Sequence, residues 1–154
     1  MKNFKYLRSF LLATLASTFV LSAAHAEDAL KMELTANKVA TDAEGKTTYS
    51  PVSTAPAGTL IQYKATYTNS INKDISDLAV TLPIPANMTF TGDVSPASAQ
   101  ASIDGKNYAD MPLMRRVDGK LVKIPLSEYR SVRWNIKLLP AKKSANVSLN
   151  TIVN

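Results

Sequence analysis

The chain of 154 residues has no cysteine, and its one histidine, His25, lies close to the N-terminus. Without thiols there is no disulfide framework, no thiolate nucleophile and no thiolate metal cage. Once a leader carrying His25 is removed, the Ser-His-Asp and Cys-His arrangements and a histidine proton shuttle are excluded as well. Glycine is scarce, with 5 in the whole sequence, and no segment repeats another. Both features argue against a propeller or a solenoid. The 12 acidic residues are scattered, many in turn-like segments, and no pair has a spacing that would serve glycosidic cleavage.

Long hydrophobic runs are also missing, apart from one near the start. Lys2, Lys5 and Arg8 precede an apolar run from Phe10 to Leu21, and Ala24-His25-Ala26 supplies small side chains at alternate positions. This is the layout of a secretory leader, residues 1–26, with an apolar core too short to span a bilayer. Removing it takes three of the 18 basic residues and none of the 12 acidic ones, so the formal charge drops from +6 to about +3. So small an excess, with no motif to match, gives no reason to expect nucleic acid as a partner. The remaining residues, 27–154, are enough for one domain that buries roughly two-thirds of its unfolded surface. A periplasmic, extracellular or cell-surface location is expected.

What is present is a period of two. Leu30, Met32 and Leu34 alternate with Lys31, Glu33 and Thr35, which predicts a first strand with one buried face. In LIQYKATYTN, residues 60–69, Ile61, Tyr63, Ala65 and Tyr67 share one side and Gln62, Lys64, Thr66 and Thr68 the other; a helix would scatter these positions. Leu78, Val80 and Leu82 form a shorter row closed by Pro83 and Pro85, and Met88 and Phe90 continue the spacing. Asp104-Gly105 and Asp118-Gly119 mark turns, the second followed by the strand KLVKIP. Val132, Trp134, Ile136 and Leu138 make a further inward row, and Val147, Leu149, Thr151 and Val153 the last. Seven or eight strands at this spacing, with no helical period beyond the leader, predict an all-β antiparallel sandwich.

The passage PAGTLIQYKATYTNSINKDISDLAVTLPIPANMTF resembles the repeat of the DUF11 family of bacterial exported and cell-surface proteins. A Pro-Gly turn at Pro56 and Gly58 opens a strand bearing Tyr63 and Asn69. A polar loop, an apolar strand with Val80 and Leu82, a turn at Pro83 and the aromatic Phe90 follow in the family's order. VRWNIKLLPAKKSANVSLNTIV is similar to the family's closing strands. The resemblance implies a single immunoglobulin-like sandwich, exported to the bacterial envelope. The acidic residue common before the Leu-Pro turn is absent from AVTLPIP, so no metal-binding position carries over.

The richest run is SEYRSVRWNI, residues 127–136. Alternation puts Trp134 in the core and Tyr129, Arg133 and Lys137 on the opposite side, and those three form the expected partner-binding surface. Nine basic residues from Arg115 to Lys143 would suit an envelope protein or an anionic envelope component. The expected role is non-catalytic protein binding or structural assembly, with no cofactor. Two other chemistries remain open: Cu(I) held by Met111 and Met114, and hydrolysis by carboxylates alone, with Asp93, Asp104 and Asp110 as candidates.

Overall fold

The alternation of LIQYKATYTN places this segment at the centre of the structure. In the computed structural model, which describes residues 29–154, it forms β3 (Leu60–Asn69), flanked on both sides by antiparallel neighbours. The expected leader lies outside the described residues. The other strands are β1 (Leu30–Thr41), β2 (Thr47–Pro51), β4 (Ile75–Pro83), β5 (Met88–Ser95), β6 (Gln100–Ser102), β7 (Ala109–Asp110), β8 (Met114–Val117), β9 (Lys120–Lys123), β10 (Ser131–Leu139) and β11 (Ser144–Val153). One sheet has the order β2-β1-β3-β11-β5, a second β4-β10-β6-β7, and β8-β9 stands apart as a hairpin. All pairings are antiparallel, giving an all-β, sandwich-like architecture. Among the described residues no helix is long and apolar enough to cross a membrane.

The core lies between the two larger sheets. Ala65 and Tyr67 of β3, Val147 and Leu149 of β11 and Phe90 of β5 meet Val80 and Leu82 of β4 and Val132 and Trp134 of β10. Trp134 is buried as its alternation predicts, and its indole N–H donates to the Pro96 carbonyl at 2.9 Å. Burying such a ring contributes on the order of 2–3 kcal/mol. At the end of this core Asn69 is fully buried: its Nδ2 donates to the carbonyls of Lys73, Leu139 and Pro140, and its Oδ1 accepts from the Ile71 N–H. One amide thus ties the end of β3 to the β3–β4 connection and to the turn between β10 and β11, joining both sheets.

Two apolar rows depart from their predicted burial. Leu138 is exposed and Leu139 buried, because the inward side changes parity on both β4 and β10. The change falls where Asp77 adopts a φ of 51° and its pairing with Lys137 is interrupted. In β1 the alternation is regular, but Met32 and Leu34 are 53% and 48% exposed. They share a rung and a face with Tyr67 and Ala65, which are 7% and 0% exposed. Their side chains therefore point to the core side of the sheet, at a place the four-stranded sheet is too narrow to cover.

Replacing Asn69 by Ala strands several buried polar groups, and about 3 kcal/mol of stability is expected to be lost in denaturant titrations. A loss below about 1 kcal/mol would show that water satisfies these groups instead.

Candidate protein-binding surfaces

The sequence-predicted surface is only partly assembled. β10 starts at Ser131, and a single 3-10 turn, Leu126–Glu128, precedes it, so strand parity does not reach back to Tyr129. Tyr129 is 1% exposed and belongs to the core, which corrects its assignment to the outward face. Its ring packs on Phe90 with centroids 5.6 Å apart, and its hydroxyl accepts the Leu113 N–H at 2.7 Å. Arg115 forms a two-pronged ion pair with Glu128 at 2.7 and 2.9 Å, and the Ile124 N–H donates to the Leu113 carbonyl. Together these contacts dock the β8-β9 excursion onto the sandwich.

Arg133 and Lys137 do lie on the outer face of β10. The Arg133 guanidinium sits 4.1 Å above the Tyr108 ring and donates to Gln100 Oε1 at 2.9 Å, while Gln100 Nε2 donates to Asp110 at 3.1 Å. Tyr108, which strand parity in the 127–137 run could not reveal, supplies the aromatic surface expected of Tyr129. The Tyr108 hydroxyl in turn bonds with Ser131 Oγ at 2.9 Å. Lys137 is 3.7 Å from Asp77, with both side chains in water, a pairing that contributes little. Asn135, Lys137, Gln100 and Asp110 line a shallow, open groove here. Arg133 is thus engaged inside this cluster by one hydrogen bond and one stacking contact.

The other basic residues do not converge on it. Arg115 and Arg116 belong to the β8-β9 hairpin, where Arg116 donates to the Gly119 carbonyl; Arg130 donates to the carbonyls of Ser127 and Tyr129. Lys142, bonded to the Ser70 carbonyl, and Lys143 lie past the far end of β10. Met111 packs against the core, whereas Met114 is exposed on β8.

The three candidate carboxylates are held by different partners. Asp93 accepts from Thr91, Asp110 from Gln100, and Asp104 from the N–H groups of Lys106 and Asn107 at 2.8 Å each, from Asn107 Nδ2 and from Ser102 Oγ. The backbone N–H of Asn107, then that of Lys106, holds the Asp104 carboxyl well below its ordinary pKa. That direction suits a loop organiser and opposes a general acid, which needs a raised value. The Asp104-Gly105 signal is accordingly a six-residue connection between β6 and β7 rather than a two-residue hairpin turn.

A second surface is the free edge of β1. β2 pairs with β1 only from Asn37 onward, so residues 30–35 have β3 on one side and, among the described residues, no strand on the other. The Ser70 N–H donates to the Ala29 carbonyl and the Val52 N–H to the Ala36 carbonyl. Backbone groups alternate in direction along a strand, so Lys31, Glu33 and Thr35 bond to β3 and Leu30, Met32 and Leu34 direct theirs to the open side. The outermost strands of the two larger sheets carry obstacles to pairing. β4 has the positive φ of Asp77 and ends in Pro83; β5 has a register shift against β11; β2 ends in Pro51; β7 has two residues. The first half of β1 has no proline, no glycine and an unbroken register.

Comparison with protein-family models, with curated proteins and with solved structures finds no match for this chain.

Tyr129→Phe removes the only acceptor of a buried N–H, and a loss of about 1–2 kcal/mol is expected in thermal or denaturant melts. Arg133→Ala, on the surface, should cost less than half as much. For Asp104, a pKa depressed in the fold stabilises fully above the unfolded value of about 4 and loses that contribution as pH falls towards the folded one. Carboxyl NMR should show Asp104 still ionised at about pH 3, and Asp104→Ala should flatten the acid limb of the stability curve.

Proposed function

We propose that this protein is an exported, immunoglobulin-like module of the bacterial envelope that acts by binding protein, without catalysis, through the open edge of β1. The observation carrying this reading is the coincidence, on five consecutive residues, of unpaired main-chain groups and the uncovered apolar side chains of Met32 and Leu34. An added strand would gain hydrogen bonds from the first and apolar burial from the second, the two ingredients of recognition by strand addition. The leader-like N-terminus and the resemblance of residues 30–153 to DUF11 repeats support export and the immunoglobulin-like assignment.

The surface centred on β10 is the weaker candidate, since Tyr129 is in the core and Arg133 is already stacked and hydrogen-bonded. A photo-crosslinking residue at position 34, introduced in living cells, is expected to give protein adducts, and one at position 133 far fewer. Adducts from 133 with none from 34 would overturn the choice of surface. No adduct from either would overturn the binding reading.

A further inference from the structure

Resting on the reading of β1 as a binding edge, we propose that its occupant is a second copy of the same chain, paired antiparallel about a two-fold axis through Met32. A two-fold contact needs a patch complementary to itself. The segment Leu30-Lys31-Met32-Glu33-Leu34 has that property.

With Met32 opposite the partner's Met32, Leu30 falls opposite the partner's Leu34, and Lys31 opposite the partner's Glu33. The residues that direct their main-chain groups outward, Leu30, Met32 and Leu34, then meet one another, and about six N–H···O bonds can form. The axis runs perpendicular to the sheet, so both apolar rows lie on the same side and both ion pairs on the other. Met32 and Leu34, half exposed in the single chain, acquire cross-strand apolar neighbours.

Charge also selects this register. Sliding one strand by two residues centres the pair on Lys31 or on Glu33, and each places a like charge directly opposite itself. A further slide, centred on Leu34, sets Lys31 against Asn37 and Glu33 against Thr35, losing both ion pairs. It also pushes into Ala36, whose carbonyl is already taken by Val52. Registers that shift the hydrogen-bonding parity set outward-directed groups against inward-directed ones. The result would be a continuous sheet of ten strands from two five-stranded halves. Five paired residues form a smaller contact than most stable dimers use, so association should be weak and concentration-dependent.

Sedimentation of the purified protein from about 10 μM to about 1 mM, at low salt, tests this directly. Dimer is expected to appear across that range. Lys31→Glu and Glu33→Lys, each alone, turn two attractive pairs into two repulsive ones and should weaken self-association about tenfold. The double exchange should restore it to within about threefold of the original, and an equimolar mixture of the two single variants should associate better than either alone. Both substitutions lie at exposed positions whose side chains leave the β1–β3 ladder intact, and circular dichroism checks that the fold is kept. A protein that is monomeric throughout, or single and double variants that associate equally, would overturn the proposal. If the chain stays monomeric while position 34 crosslinks to a different envelope protein, the second copy is wrong and the binding reading stands.

Discussion

The width of the smaller sheet constrains everything else in this molecule. A sandwich buries its apolar rows only where two sheets overlap. Here the overlap takes in β3, β11 and β5 on one side and β4 and β10 on the other, closed at one end by the Asn69 amide and at the other by Tyr129. Along the rung Leu34–Ala65–Val147, exposure falls from 48% to 0% and 2%. The same face of the same sheet is therefore surface at β1 and core one strand away. Apolar side chains at that position are only about half buried within a single chain, and their presence on an unobstructed edge is what supports the proposed binding role.

Much of the architecture was legible because a half-buried strand writes its period directly into the sequence. β3 and β11 have the faces that alternation assigns, and Trp134 lies inward. Parity fails where the backbone departs from a regular strand. At Asp77 a residue in the left-handed region interrupts the ladder and moves the inward side from Leu138 to Leu139. Before Ser131 a 3-10 turn resets the direction of Tyr129. The first event has no Gly or Pro at the critical residue, whereas the second follows Pro125, which opens the turn. The Asp118-Gly119 signal performs better, since both residues take positive φ between β8 and β9.

The candidate surface was less legible, for a different reason. Alternation tells which residues share a face, but whether that face is covered depends on the other sheet's strand count, a long-range property. Met32 and Leu34 were thus read as buried when only their neighbours across the sheet are. Arg133 was placed correctly on the outer face, yet its stacking on Tyr108, 25 residues earlier, is a tertiary contact beyond any local pattern. The mirror order of apolar and charged side chains in Leu30–Leu34 was visible throughout, and acquires meaning once the edge is known to be open.

Amide hydrogen exchange along β1, followed by NMR at two protein concentrations, tests whether this half-strand is an open edge that a second copy closes. In dilute solution the Lys31 and Glu33 amides, bonded to β3, should be protected while those of Met32 and Leu34 exchange rapidly. Raising the concentration should protect Met32 and Leu34 and leave Lys31 and Glu33 little changed. Uniform protection along the strand in dilute solution would rule out the open edge, and rapid exchange at Met32 and Leu34 that ignores concentration would rule out the second copy.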